Sequence, residues 1–428
     1  MKYIVKYLIE DGETMKQSFF VDNRKKLMDM VENGSIVILF SGNAPYRSAD
    51  QKYPYTPNRN FYYLTGLERE NFILFMFKKN DKVEEMLFIE NSNPKLEKWI
   101  GKKMTKGEAE EISGVKNIQF KEEFQEFLAM NVVVNNIDTI YLDLERREWN
   151  SNINPAIIFA NEIRERYPYI NIKNIYKDIC NLRTIKQEEE IERIKKAINI
   201  TKEGLENVMK NLKPNMMEYQ AEAYFDFTVK SLGIKNLAFK TIAASGVNGT
   251  ILHYEQNNCK IADNSLILFD LGVEYENYCS DISRTYPVNG KFTERQKQIY
   301  NIVLKAQLET IRAIRPGMPI KKLNEITKDV LIRECKKIGL INEDSEITKY
   351  YYHGVSHYLG LDTHDVGSYE RKLEPGMVLT VEPGLYIEEE GIGIRIEDDV
   401  LVTEDGCEVL SKDIIKTVEE IEEFMKNK

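Results

Sequence analysis

Cysteine, histidine and tryptophan are scarce in this 428-residue chain, and long apolar runs are missing. The five cysteines, Cys180, Cys259, Cys279, Cys335 and Cys407, are odd in number, scattered, and form no CxxC pair. That excludes a disulfide framework and a cysteine-rich zinc site, and points to reduced cytosolic thiols. The opening MKYIVKYLIEDGETMK starts basic but meets Glu10 and Asp11 before an apolar signal core can develop. No run approaches membrane-spanning length, so a soluble, cytoplasmic protein without a membrane partner is expected. With 59 basic against 69 acidic residues the net charge is -10, which argues against a partner held by its phosphate backbone, and no nucleic acid is expected.

A chain of this length outgrows a single hydrophobic core, so two domains are expected. Up to about residue 175, short β-branched runs alternate with helical patterns, the rhythm of an α/β layer. The pattern predicts strands at Ile36–Phe40, Phe72–Phe77, Met86–Ile89 and Ile140–Leu144, and helices at Arg24–Val31, Glu122–Met130 and Ala156–Arg166. Beyond Leu182 the texture changes. Ile191, Ile194, Ile198, Leu205, Val208 and Leu212 recur at three- and four-residue steps, predicting one long amphipathic helix ended by Pro214. The boundary is placed at residues 176–183, giving domains 1–176 and 177–428.

The second domain carries a weak internal repeat. LKPNM at Leu212–Met216 is echoed by IRPGM at Ile314–Met318, the latter closing a helix that a Thr293-Glu-Arg-Gln296 capping box would open. Asp270 and Glu382 lie 112 positions apart, Asp281 and Glu397 lie 116 apart, and each sits in or after an apolar β-like run. Two similar half-domains, each donating two carboxylates, would give this pattern.

The only four histidines are His253, His353, His357 and His364, all interleaved with those acids. Imidazole titrates nearest neutrality and ligates metals readily, so crowding here and rarity elsewhere mark a chemical site. Asp270 ends the run Leu266–Phe269, where a buried carboxylate demands a cation or strong donors. Asp281, Ser283 and Thr285 would share one face of an extended SDISRTYPV segment. Taken alone, Glu397 would most simply pair with Arg395. Four acids at strand ends beside a histidine cluster instead suit a hard or borderline divalent ion, and a bridging carboxylate pair suits two. The His353 to His357 spacing imitates a zincin helix, but Gly354 stands where the zincin glutamate belongs. Gly354, Gly360 and Gly367 favour a strand and turn instead.

HYEQNN from His253, FDLGVEYENYCSDISRTYPVNGKFT from Phe269, HGVSHYLGLDTHDVG from His353, LTVEPGLYI from Leu379 and GIRIEDD from Gly393 together resemble the Xaa-Pro aminopeptidases (aminopeptidase P). These belong to the pita-bread family with prolidase and methionine aminopeptidase. RSADQKYPYTPNRNFYYLTGLERENFILF resembles the creatinase-like N-terminal domain of aminopeptidase P and prolidase, which methionine aminopeptidases lack. The resemblance implies an α/β (α+β) protein, with a creatinase-like α/β N-terminal domain followed by a pita-bread catalytic domain carrying a pseudo-twofold repeat.

It further implies five metal ligands, Asp270, Asp281, His357, Glu382 and Glu397, with Asp281 and Glu397 bridging two divalent ions. Manganese is the expected metal, with cobalt or zinc as alternatives. His253, His353 and His364 match histidines that contact the substrate and the tetrahedral intermediate, Glu382 matches a ligand that also shuttles a proton, and Arg395 and Tyr386 match residues beside the site. Trp99 resembles an N-domain tryptophan that reaches a neighbouring subunit's active site, so a homodimer or homotetramer is expected. The implied reaction is hydrolysis of the bond before a penultimate proline in peptides. Two other readings stay open: a prolidase restricted to Xaa-Pro dipeptides, and a non-catalytic pita-bread protein that only binds peptides.

Overall fold

The computed structural model of the protein describes residues 15–146, 148–150 and 154–426; the signal-peptide argument falls largely on residues 1–14, outside that range. Two compact units divide the chain, Gly12–Arg183 and, after it, Thr184–Lys428. Among the described residues no helix is long and apolar enough to cross a membrane.

The N-terminal unit is built on one mixed sheet. Its strands are β1 (Ser35–Phe40), β2 (Ile73–Lys79), β3 (Lys82–Ile89), β4 (Asn117–Phe120), β5 (Thr139–Leu142) and β6 (Asn171–Asn174), in the order β4-β3-β2-β1-β5-β6. β1 and β2 pair antiparallel, as do β2 and β3, while β1–β5 and the two outer pairs are parallel. Alternate residues Ile36, Ile38, Phe75, Phe77 and Phe88 meet helices α2 (Phe124–Val134) and α3 (Pro155–Arg166) in one core. Val37 and Leu39 are fully buried on the opposite face, so both sides of the sheet are covered. Helix α1 spans Gln17–Asp29, starting seven residues before the expected Arg24. Its inner face includes Asn23 and Arg24, whose polarity hides the stripe. Arg24 Nη1 donates to Leu64 O (2.7 Å) and Ser113 O (2.9 Å), which makes its burial tolerable.

In the second unit, α4 (Glu188–Asn211) presents Ile194, Ile198, Leu205 and Val208 inward at the expected period, and the chain leaves the helix just before Pro214. It packs on α5 (Glu218–Ser231) where Gly204 sits; a Cβ there would lie 2.4 Å from Phe225 Cδ2. Then come β7 (Ile242–Ser245), β8 (Leu266–Leu271) and β9 (Ile282–Pro287), an antiparallel sheet in the order β9-β8-β7. The order then recurs. Helix α6 (Glu294–Ala313), opened by the Thr293/Gln296 capping box, packs on α7 (Lys321–Lys337). A second antiparallel sheet follows, built from β10 (Val378–Val381), β13 (Asp398–Val402) and β14 (Cys407–Val409). The hairpin β11 (Gly384–Ile387) and β12 (Ile392–Arg395) lies between the first two of these strands, and α8 (Val418–Lys426) closes the described chain. Two helices and then an antiparallel sheet, twice over, is the expected repeat.

Candidate metal centre

In an antiparallel pair, the C-terminal end of one strand lies beside the N-terminal end of its partner. Asp270 lies near the end of β8, and Asp281 immediately precedes β9, its partner. In the second half Glu382 follows the end of β10, and Glu397 immediately precedes β13, again its partner. Each half therefore delivers two carboxylates at one end of its sheet. The halves meet along this edge: Glu397 N donates to Ser283 O (3.1 Å), and Arg395 N to Thr285 Oγ1 (3.2 Å).

His357 comes from the irregular stretch 351–371, not from a helix, held against β10 by the isolated bridge Tyr358–Leu379. Its N–H donates to Thr380 Oγ1 (3.1 Å). The ring Nδ1 lies 3.0 Å from Tyr358 O, which fixes the proton there and turns the free lone pair of Nε2 inward. Nε2 is 3.3 Å from Asp281 Oδ2 and 3.6 Å from Glu382 Oε1. Donor atoms of Asp281, His357 and Glu397 all lie within 4.8 Å of one another. A cavity of about 260 Å³ is walled by these residues together with Asp270, Glu382, Arg395, His253, His353 and His364.

The electrostatics call for added positive charge. Burial pushes the Asp281 and Glu397 carboxyls well above the usual range, and repulsion from neighbouring acids pushes them further. Glu382 is raised as well, chiefly by burial. Among the described residues, Arg395 is the one arginine on the cavity wall. Its Nη2 donates to Asp270 Oδ2 (2.6 Å), its Nε to Ser283 Oγ (2.7 Å) and its Nη1 to Tyr386 OH (3.2 Å). The ion pair is thus with Asp270, not with the adjacent Glu397 that sequence proximity suggested. One guanidinium among four carboxylates leaves an excess of negative charge that divalent cations would offset, and the oxygen donors with one imidazole suit such ions.

Of the residues singled out in the sequence, nine line this one cavity. Tyr386 stands directly behind, its OH 2.8 Å from His353 Nε2. Trp99 is not grouped with them; it belongs to the N-terminal unit, 88% exposed on the helix Pro94–Ile100. Burial lowers the His353 imidazole to about 4, and lowers His364 too, so both are neutral at physiological pH. Two contributors were missed. Ser283, fully buried, donates to Glu397 Oε2 (2.7 Å) and touches Asp270 Oδ1 (3.1 Å). Asp399, also fully buried, accepts from Asp281 N (3.2 Å). The alternation Asp281, Ser283, Thr285 was the available signal for the first, and the unbroken acidic run Glu397–Asp399 for the second.

Four acids, Asp281 and Glu397 buried and Asp270 and Glu382 partly so, with an inward-facing imidazole, presented by two repeated halves, define a metal-dependent hydrolase site. The chain belongs to metallopeptidase family M24, matched over residues 192–404, and carries an aminopeptidase P N-terminal domain over residues 20–141. It is 34% identical to the Xaa-Pro aminopeptidase of Escherichia coli (strain K12), over 95% of this chain and 97% of that one. A Bacillus anthracis structure assigned as an aminopeptidase P superposes with a TM-score of 0.95 at 55% identity, covering 96% of this chain and 99% of the other. The E. coli aminopeptidase P structure with the inhibitor Pro-Leu gives a TM-score of 0.88 at 34% identity, covering 96% and 98%. The expected creatinase-like N-terminal domain and pita-bread catalytic domain are therefore the fold of this chain.

Proposed function

We propose that the protein removes the N-terminal residue from peptides whose second residue is proline, with two divalent ions held by Asp270, Asp281, His357, Glu382 and Glu397. The observation that carries this reading is the convergence of those side chains, two acids from each half, on one cavity whose charge is unbalanced without cations. Similarity over nearly the full length of an Xaa-Pro aminopeptidase supports the substrate class, and Pro-Leu, the inhibitor held by the E. coli enzyme, supports a proline-bearing peptide as the occupant. Manganese is the proposed metal.

Such ions supply a water nucleophile active at neutral pH and polarise the scissile carbonyl. The chain's own groups do the rest. Glu382, on the cavity wall beside His357, is placed to take a proton from the nucleophile and pass it to the leaving nitrogen. His364 and His253, on the cavity wall, are placed to donate to the oxygen on which charge develops. The proline nitrogen has no N–H, so its pocket needs surface rather than an acceptor. His353, held by Tyr386 OH, offers a fixed flat face for the ring. Arg395 and Ser283 fix the carboxylates from behind.

The test is cleavage of matched Xaa-Pro and Xaa-Pro-Yaa peptides by metal-stripped protein resupplied with manganese, beside Glu397→Ala. Release of the first residue from the tripeptide, abolished in the variant, is expected. Cleavage of the dipeptide alone would make the protein a prolidase, and cleavage of neither with any divalent metal would overturn the hydrolase reading.

A further inference from the structure

His253 sits on the cavity wall but within no regular element: the chain from Gly246 to Lys260 is a short 3-10 turn followed by irregular backbone. Something other than a ladder must fix it. Asn257 anchors part of the stretch, accepting from Ala243 N (2.9 Å) and donating to Thr241 O (2.8 Å) and Glu222 Oε2 (2.9 Å), and one carboxylate gathers the rest. Glu218, the first residue of α5 and fully buried, accepts five hydrogen bonds, all from this stretch and its approach. Its Oε1 accepts from Ser245 N (2.8 Å), Ser245 Oγ (2.7 Å) and Asn248 Nδ2 (3.0 Å). Its Oε2 accepts from Tyr254 OH (2.8 Å) and Cys259 N (2.9 Å). The start, middle and end of the segment are thus gathered on one side chain, and the middle contact is the neighbour of His253. From the second half, Tyr352 OH donates to Thr250 O (2.6 Å), near the start of the segment.

The internal repeat supplies a second, independent observation. With LKPNM set on IRPGM, Glu218 corresponds to Ile320, which lies in the apolar core of the second half. A helix start can therefore be packed there with a hydrophobe. The first half departs from that solution where an irregular segment carries a histidine to the cavity.

We propose that Glu218 is a positioning residue that sets the place of the His253 imidazole on the cavity wall. The inference rests on the peptidase reading only for its kinetic consequence. Glu218→Gln is the informative change. Each oxygen of Glu218 accepts one backbone N–H, from Ser245 or from Cys259, and a backbone N–H cannot reverse its polarity. Whichever oxygen becomes NH2, one of those donors faces another donor and is orphaned, so one end of the segment must shift.

Because the chain holds only four histidines, each imidazole can be followed separately by NMR of the full chain, labelled at histidine and loaded with diamagnetic zinc. The expected result is that Glu218→Gln shifts or broadens the His253 resonance and leaves those of His353, His357 and His364 in place. In tripeptide cleavage kcat should fall roughly tenfold with little change in KM, the loss expected when a donor acting in the transition state is misplaced. Combining Glu218→Gln with His253→Ala should then cost no more than His253→Ala alone, within about twofold, since coupled residues do not add. Tyr254→Phe, which removes one of the five donors, should shift the same resonance by less, and serves if Glu218→Gln folds poorly. An unmoved His253 resonance in both variants, four resonances moving together, or additive kinetic losses would overturn the inference. A wild-type protein that cleaves no Xaa-Pro peptide would instead refute the peptidase reading, with the NMR result still deciding the role of Glu218.

Discussion

Ser283→Ala tests the electrostatic account of the metal centre at its most economical point. The Ser283 hydroxyl has one proton and two lone pairs. It lies 2.7 Å from both Glu397 Oε2 and Arg395 Nε, and 3.1 Å from Asp270 Oδ1. The proton goes to Glu397, the shorter carboxylate contact, and a lone pair accepts from Arg395. Alanine deletes a hydrogen bond to an ionised group, worth about 1.5–3 kcal/mol, and leaves the buried Arg395 Nε without its partner. The guanidinium keeps its bonds to Asp270 and Tyr386, so the fold should survive. Expressed in metal affinity, a loss of about 1.4–2.8 kcal/mol is a 10- to 100-fold weakening, the range expected when a group orienting a ligand is removed. Calorimetric titration of manganese into metal-stripped wild type and variant measures it directly. The control is Thr285→Val on the same strand: Thr285 Oγ1 contacts only the backbone O and N of Arg395, both at 3.2 Å. It should lower stability without comparable loss of affinity. If Ser283→Ala binds manganese within about threefold of wild type, the claim that Ser283 orients the ligand carboxylates is wrong.

Glu190→Gln gives a pH signature. Burial raises this carboxyl from 4.5 to about 7, so between those values the folded protein keeps a proton that the unfolded chain has released. The resulting stability is fully present below 4.5 and is lost as pH rises through about 7, amounting to about 3 kcal/mol at most. Glutamine can accept from Gln187 N and donate to Tyr278 OH, the present partners of Glu190. The variant should match wild type near pH 4.5 and melt at higher temperature at pH 8; parallel melting-temperature curves would refute this. Gly393→Ala should destabilise by about 2–4 kcal/mol, because overpacking against rigid atoms forces a backbone shift. The added Cβ would lie 1.9 Å from Gly249 O. Urea unfolding within 0.5 kcal/mol of wild type, about the scatter of an innocuous surface change, would show that the contact yields.

The sequence exposed what depends on period and spacing, and hid what depends on partners across the fold. The inner strands of the N-terminal sheet are rich in Ile, Val, Leu and Phe and could be read. β4 and β6, NIQF and NIKN, could not, because they form the two edges, where polar residues are favoured and alternation weakens. Asn23 and Arg24 obscured the start of α1 by satisfying their polarity on remote carbonyls. At the centre, residue type marked eight of the residues on the cavity wall, four acids and four histidines, while Arg395 came from the resemblance. Pairing was not legible: Arg395 bypasses its neighbour Glu397 to reach Asp270, 125 positions away, and only the seam between halves explains that choice.

The mismatch between the two acid spacings has a structural meaning. If the halves were strict copies, 112 and 116 would be one number. In both halves a hairpin joins the strands that bear the acids, Glu274–Tyr275 with Tyr278–Cys279 in the first and β11 with β12 in the second. The second hairpin is longer by residues that the first lacks, and it carries Tyr386 and Arg395. Tyr386 OH reaches His353, and Arg395 reaches back to Asp270 and Ser283 of the first half. The common scaffold thus accounts for the four carboxylates, which a symmetric pair of halves can supply. The groups that distinguish one side of the cavity from the other come from where the copies diverge: the longer hairpin and the stretch bearing His357 and His364 in the second half, and the Glu218-anchored segment in the first. A peptide has a direction, so a site that cuts at one end of it has to be built from those departures.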